Sequence, residues 1–220
     1  MRRTARLIKL IKSTSGTPRG RALKGALASC AANSVLGLGK LIVGIISLSF
    51  FTCAGALYTI GMVGARICAI AGMLKNDDDF PGIRRSYSVS GIILTVASLL
   101  YIIYSIGLFH SPASGFHMYA AIAIMSFNLI ELPLNIRDAI AEHRNTSLPH
   151  RALRTINVAS LLICLVLTQT ALLSFSDYGI KITPGTNAVT ALLMGIAACA
   201  LGIGMIVGAW RMKKHETTNR

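Results

Sequence analysis

Acidic residues and long polar segments are both scarce in this chain. Its 220 residues contain only 8 Asp and Glu against 22 Lys and Arg, and 53% of them are hydrophobic. The segments between its apolar stretches do not exceed about 20 residues, which leaves no room for a soluble catalytic domain. The sequence signatures of nucleotide-binding, zinc-protease and serine-hydrolase sites are missing as well. We therefore expect neither an enzyme nor a bound cofactor.

Cysteine is present but forms no paired motif. The five cysteines include no CxxC spacing, and each lies within or at the edge of an apolar stretch. Cysteine in such surroundings usually acts as a small apolar packing residue, so the sequence predicts neither a disulfide framework nor a metal site. The acidic run Asp77–Asp79 can attract a divalent cation, but runs of this kind are usually solvated charge.

Six apolar stretches of membrane-spanning length dominate what the sequence does contain. A helix needs about 20 residues to cross the hydrocarbon core of a bilayer, and each stretch has close to that length. They cover residues 25–47, 51–74, 88–109, 117–136, 154–175 and 187–210. We therefore predict an all-α integral membrane protein whose six transmembrane helices occupy residues 25–210.

Basic residues fall almost entirely on alternate sides of these stretches. Eight Lys and Arg precede the first stretch, three lie at 75–85, four at 137–154 and four at 211–220, which together make nineteen of the 22. The positive-inside rule places all four segments, and hence both termini, in the cytoplasm. Attraction to an anionic inner leaflet accounts for the +14 net charge, so the predicted partner is the lipid bilayer rather than nucleic acid. The predicted location is a bacterial-type plasma membrane.

The first 24 residues form a basic segment without acidic residues. On a helical wheel Leu7 and Ile8 lie on one side, and Arg6 and Lys9 lie on the other. This pattern is typical of an amphipathic arm on the cytoplasmic membrane surface. An organellar transit peptide has the same composition and stays an alternative. Residues 211–220 form a second basic cytoplasmic segment.

Polar side chains are unevenly distributed among the six stretches. In their interiors the third and sixth carry no charge and no amide, only hydroxyl groups such as those of Ser98 and Tyr101. Charged and amide side chains lie in the other four, and a charge inside a membrane costs about 2.5–3.5 kcal/mol unless it faces protein or water. We therefore predict a polar core made by the first, second, fourth and fifth helices, with two peripheral helices. The candidate core residues are Asn33, Lys40, Arg66, Asn128, Glu131 and Asn157.

Helical spacing groups these residues further. Asn128, Glu131 and Asn135 share one face of the fourth helix, where Pro133 is expected to introduce a kink. Arg66 and Glu131 are at similar predicted depths, and a buried pair between them is one hypothesis. The alternative is that Lys40 and Arg66 extend toward the membrane interfaces while the amides only join helices.

Small residues four positions apart predict close helix contacts. The pairs are Gly61 with Ala65 on the second helix, and Ala198 with Gly202 and Gly204 with Gly208 on the sixth.

The first stretch also resembles a known family. Asn33, then Lys40 followed by apolar residues and Gly44, then the segment Ser47–Ser49, is similar to the first span of cation diffusion facilitators. Asn128 and the segment 151–154 resemble the fourth and fifth spans of that family. The likeness covers most of residues 20–175. It implies a six-helix transport fold with both termini inside.

The family's metal ligands are absent. Its second and fifth helices each carry a His or Asp followed four residues later by Asp. The positions implied here are Tyr58 and Met62 and, on the fifth helix, Ala159 and Ile163, which are not ligands for zinc-like ions. We also expect no counterpart of the family's cytoplasmic metal-binding domain. We therefore predict a divergent transporter of another solute, and Arg66 would suit an anionic one. The alternative is a non-transporting accessory subunit that acts through a membrane partner or as a homodimer.

Overall fold

The computed structural model describes residues 18–46, 50–75, 79–107, 118–143, 147–176 and 184–218. Over these residues the chain forms six α-helices, which confirms the all-helical prediction. They are α1 (Pro18–Ile46), α2 (Phe50–Met73), α3 (Phe80–Gly107), α4 (Met118–His143), α5 (Leu148–Ser176) and α6 (Pro184–Thr218). Most of the predicted amphipathic arm, residues 1–17, lies outside the described residues, and residues 18–24 form the first turns of α1.

Five of the six described helices contain a segment long and apolar enough to cross a membrane. These segments are Leu23–Ile46, Cys53–Met73, Phe80–Gly107, Leu148–Leu172 and Ala188–Lys214. Large apolar side chains cover their outward faces; Val35, Ile103 and Trp210, for example, are 64–69% exposed. Contiguous apolar surface of this kind belongs in lipid rather than water. The chain is therefore a multi-pass integral membrane protein.

Helix α4 differs from the other five. It is 26 residues long and carries Pro133 in its interior, but it is not among the five apolar segments. Its second half contains Glu131, Arg137 and Asp138, whose charges lower its overall apolar character. Helix α4 can therefore span the membrane, as predicted, only if other helices shield these charges from lipid.

Capping residues begin several helices in the expected way. Proline occupies the first position of α1 and α6, where its missing N–H has no intrahelical acceptor. At the start of α3, Asp79 Oδ1 accepts a hydrogen bond of 3.0 Å from the Gly82 N–H. The same carboxylate lies 3.4 Å from Lys75 Nζ. Asp79, the last residue of the predicted acidic run, therefore caps a helix, and Asp77 and Asp78 lie outside the described residues.

Four helices close into a ring, and the remaining two pack against one side of it. In the ring α1 contacts α2, α2 contacts α5, α5 contacts α4 and α4 contacts α1. Helices α3 and α6 pack extensively on each other, and both also contact α5, while α3 contacts α2. The described contacts thus group the helices in the same way as the predicted four polar and two peripheral helices.

Glycines allow α3 and α6 to approach at backbone distance. A Cβ atom added at Gly202 would lie 2.9 Å from the Thr95 nitrogen, and one added at Gly91 would lie 3.1 Å from the Gly202 carbonyl oxygen. Ala198 lies one turn before Gly202 on the same helix face and is fully buried. The predicted close packing of Ala198 and Gly202 is therefore confirmed.

The second predicted pair on α6 behaves differently. A Cβ atom added at Gly204 would meet nothing within 4 Å, and one at Gly208 would lie at an ordinary 3.9 Å from Tyr87. Within the described part of this chain the Gly204–Gly208 prediction of a tight contact is wrong, because Gly204 is exposed and Gly208 approaches α3 only at ordinary van der Waals distance. On α2, a Cβ added at Gly61 would lie 3.0 Å from Ala97 Cβ, so that small-residue contact is confirmed.

Candidate functional site

All six predicted polar-core residues have buried side chains. Each is no more than 3% exposed, although the surrounding helices present apolar faces to the outside. This distribution is the reverse of that in a water-soluble protein. The residues are Asn33 and Lys40 on α1, Arg66 on α2, Asn128 and Glu131 on α4, and Asn157 on α5.

Lys40 and Glu131 form a buried ion pair between α1 and α4. Lys40 Nζ donates to Glu131 Oε2, and the two side chains are 1% and 3% exposed. A Cβ atom added at the neighbouring Gly39 would lie 2.8 Å from Phe127 Cζ, which shows how closely α1 and α4 approach here. Neither side chain extends to a membrane interface. The alternative interpretation of Lys40 as an outward-extending residue is therefore wrong.

Arg66 contacts Asn135 rather than Glu131. Its Nη2 donates a hydrogen bond of 2.6 Å to Asn135 Oδ1. Asn135 lies four residues, or about 6 Å, beyond Glu131 along α4 at 1.5 Å per residue. The hypothesis of a direct Arg66–Glu131 pair is thus wrong by one helical turn, since Glu131 lies at the level of Lys40. Glu131 is nevertheless within electrostatic range of Arg66.

The rest of the Arg66 guanidinium has no acceptor among the described residues. Arg66 is 2% exposed, and both Nε and Nη1 are buried without a hydrogen-bond partner. The Nδ2 of Asn135 is in the same state. Buried donors of this kind are uncommon in proteins and usually indicate a water molecule, an ion or a functional role.

Asp138 supplies the second negative charge near Arg66. It lies within electrostatic range of the guanidinium, but its Oδ1 accepts hydrogen bonds of 3.0 and 3.2 Å from Arg137. Its Oδ2 is buried without a donor among the described residues. Arg66 therefore shares Asp138 with Arg137, whose side chain is 67% exposed.

The three candidate asparagines are placed differently. Asn33 donates to the Ser29 carbonyl oxygen at 2.9 Å, within its own helix, so its amide does not join the charged residues. Asn128 lies one turn from Glu131, and both polar atoms of its amide are buried without a partner among the described residues. Asn157 is buried on α5. The structure thus brings together Lys40, Glu131 and Arg66 and leaves Asn33 apart.

Helix α3 contributes hydroxyl groups that the candidate set omitted. Tyr101 and Ser98 are buried, and the Tyr101 ring packs against Tyr58 of α2 at 5.7 Å between centroids. Tyr58 and Arg66 lie on one buried face of α2, as their spacing predicts. The spacing of Ser98 and Tyr101, three residues apart, places them on one helix face as well. That periodicity was the available signal for these residues, but hydroxyl groups alone do not distinguish a site from a packing contact.

The four positions that the family resemblance assigns to metal ligands all face the interior. Tyr58 and Met62 on α2, and Ala159 and Ile163 on α5, are at most 3% exposed. None of the four side chains is a ligand that zinc prefers. Within the described residues, no group of three or more His, Cys, Asp or Glu side chains is placed to hold a metal ion.

Glu142 and His150 are in contact at the C-terminal end of α4. Glu142 Oε2 contacts His150 Nδ1, and both side chains are about nine-tenths buried. This contact joins the end of α4 to the start of α5, close to the short connection between them. It lies about three turns from Glu131 along α4 and is separate from the charged core.

Comparison with known proteins identifies no family for this chain. No protein-family model matches the chain, and no curated protein shows significant similarity to it. The resemblance to cation diffusion facilitators therefore stays a prediction.

Proposed function

We propose that this protein is a membrane transporter whose solute passes between α1, α2, α4 and α5. The observation that carries the proposal is the burial of Lys40, Glu131 and Arg66 inside helices whose outer faces suit lipid. Replacing a buried ion pair by apolar residues is often neutral or stabilising, so packing alone does not require these charges. Ionisable residues inside membrane bundles commonly mark solute or ion pathways.

The proposed solute is not a zinc-like divalent cation. Lys40 and Arg66 place two positive charges in the core, and Coulomb repulsion from them opposes a further cation. The resemblance to cation diffusion facilitators supports the transport fold, and the apolar and aromatic residues at its ligand positions support a changed substrate. Within this proposal the protein is a divergent member of that fold.

The proposed topology has six spans with both termini in the cytoplasm. It includes α4 as a span, because its charged residues Glu131 and Asp138 lie against other helices rather than lipid. The support for the orientation is the distribution of Lys and Arg along the sequence. A single cysteine introduced at His143 should react with an impermeant reagent only after cells are permeabilised. Reaction in intact cells would reverse the orientation.

A second candidate function is that of an accessory subunit or homodimer. Gly64 and Gly204 leave open space around their Cβ positions, and Gly204 is exposed on the outer face of α6. Small residues on an outward face allow another membrane helix to approach closely. This observation favours association with a second membrane protein or a second copy of this chain.

Reconstitution tests the transport proposal directly. Proteoliposomes should swell in iso-osmotic solutions of at least one small solute faster than protein-free liposomes, when cationic, neutral and anionic solutes are compared by light scattering. The matched variant replaces Lys40 by Met and Glu131 by Leu together, which removes both charges without leaving one unpaired. Its flux should fall while its thermal stability is retained. Absence of flux for every solute, together with an oligomer in mild detergent, would instead support the accessory-subunit function.

A further inference from the structure

The buried face of Arg66 consists of hydrogen-bond donors alone. Three donor atoms have no acceptor among the described residues: Arg66 Nε, Arg66 Nη1 and Asn135 Nδ2. A hydrogen bond of 2.6 Å from Arg66 Nη2 to Asn135 Oδ1 joins the two side chains. A guanidinium has no acceptor atom, and the Asn135 oxygen already accepts one hydrogen bond from Arg66. A ligand that satisfies the three unpartnered donors must therefore supply acceptors toward them.

We propose that Arg66 and Asn135 bind a small monovalent carboxylate, and this assignment of a substrate class rests on the proposed transport function. Each parallel pair of N–H groups in a guanidinium includes Nη2, which carries two hydrogens and donates one of them to Asn135 Oδ1. The other Nη2 hydrogen, together with an N–H of Nη1 or Nε, matches the two oxygens of a carboxylate in a bidentate charge-assisted contact. Asn135 Nδ2 supplies a further donor beside it. The side chains are 2% and 0% exposed, so bound anion would be withdrawn from water, where such contacts are strong.

The charges around Arg66 leave one positive charge for the ligand to neutralise. Lys40 and Glu131 compensate each other through their ion pair. Asp138 lies within electrostatic range of Arg66 but is engaged by Arg137. Among these five residues three are cationic and two anionic. A monovalent anion balances this difference, whereas repulsion from Glu131 and Asp138 opposes a divalent one.

Two acceptor atoms near the core also have no partner among the described residues, but neither is bonded to the Arg66 donors. Asp138 Oδ2 has no hydrogen-bond donor among the described residues, so it is not bonded to Arg66. Asn128 Oδ1 is also unpartnered, but Asn128 lies seven residues before Asn135, roughly 10 Å away along α4 at 1.5 Å per residue. The Arg66 donors and these acceptors therefore stay separate in the structure.

The test measures thermal unfolding of the purified protein in detergent, followed by circular dichroism. Sodium formate, acetate, chloride and phosphate are titrated separately at constant ionic strength. A ligand that binds only the folded state raises the midpoint in proportion to the logarithm of its concentration. Formate and acetate should raise the midpoint most, chloride less, and phosphate dianion least.

Variants test whether the shift of the unfolding midpoint depends on the donors of Arg66 and Asn135. Arg66→Gln should weaken the apparent affinity for acetate about tenfold or more, and Arg211→Gln, which removes an exposed arginine of α6, should leave it unchanged. Arg66→Lys keeps the charge without the fork, so the preference for acetate over chloride should disappear. Asn135→Asp places a tethered carboxylate beside Arg66. It should raise the midpoint without any added anion and abolish the further rise with acetate, which tests the site even if Arg66→Gln does not fold.

Failure of this inference can be separated from failure of the transport proposal. If acetate and formate leave the wild-type midpoint unchanged, or if the shift persists in Arg66→Gln and Asn135→Asp, the carboxylate site is overturned. Flux of a neutral or cationic solute into proteoliposomes would still support transport in that case. Acetate binding that depends on Arg66, in a protein without flux for any solute, would support the site and overturn transport.

Discussion

Two regions of the molecule hold their helices together by different contacts. One is the ring of α1, α2, α4 and α5, and the other is the contact between α3 and α6. In the ring, a Lys40–Glu131 ion pair and an Arg66–Asn135 hydrogen bond join helices through long polar side chains. In the α3–α6 contact, Gly91 and Gly202 let the two backbones approach directly. Lipid is as apolar as a leucine side chain, so close packing suffices to join α3 and α6.

The two regions also differ in how completely their buried polar groups are hydrogen-bonded. In the ring, donors of Arg66 and Asn135 and both polar atoms of the Asn128 amide have no partner among the described residues. At the α3–α6 contact, the Thr95 hydroxyl is satisfied by the Gly91 carbonyl oxygen at 2.9 Å, although the buried hydroxyls of Ser98 and Tyr101 on α3 also have no partner among the described residues. An unpaired buried polar group costs free energy, and the cost is larger for a charged group than for a neutral hydroxyl. The unpartnered charged donors of Arg66 in the ring are therefore the stronger indication of function.

Breaking the Lys40–Glu131 pair should have the largest effect on stability. Lys40→Met or Glu131→Leu alone leaves a charge buried without its partner, and loss of one member of a buried pair typically costs about 3–5 kcal/mol. The double variant leaves neither charge and should recover much of this loss. Thermal or chemical unfolding in detergent gives the coupling free energy from the four proteins of the cycle.

The same cycle with Arg66 in place of Lys40 is the matched control. Arg66 is within electrostatic range of Glu131 but not bonded to it, so its coupling to Glu131 should be clearly smaller. Equal coupling of both cations to Glu131 would mean that the carboxylate does not prefer Lys40. Additive effects for Lys40 and Glu131 would contradict the ion pair itself.

The helices and the burial of their charges could be predicted from the sequence. Long apolar runs fix the number of helices because each run needs the length of a bilayer. Charged residues such as Lys40 and Arg66 inside those runs are expected to face protein, and they do. The family resemblance likewise points to positions such as Met62 and Ile163, which face the interior whatever their chemistry.

The partner of Glu131 could not be predicted, because the length of an apolar stretch does not fix where its helix enters the membrane to within one turn. An error of four residues displaces a side chain by about 6 Å, which is enough to exchange Arg66 for Lys40 as its neighbour. The spacing of Ser98 and Tyr101 places their hydroxyls on one face of α3, but it does not show whether that face is turned toward lipid or toward the other helices. Rotation and relative height are properties of packing between helices, to which distant parts of the chain contribute.

Substitutions at two glycines of α6 should give a smaller effect and separate its two faces. Gly202→Ala places a Cβ atom 2.5 Å from Thr95 Oγ1 and 2.9 Å from the Thr95 backbone nitrogen. The backbone cannot move aside as a flexible side chain does, so α3 and α6 must separate, at a cost of about 1–3 kcal/mol typical of overpacking.

Gly204→Ala introduces the same methyl group two residues away, where nothing lies within 4 Å. It should be neutral or stabilise the helix by up to about 1 kcal/mol, because alanine loses less backbone entropy than glycine. Unfolding midpoints of the two variants in monomeric detergent solution measure the difference. Equal loss of stability at both positions would show that Gly204 also faces a close neighbour, whereas a neutral Gly202→Ala would contradict the close α3–α6 contact.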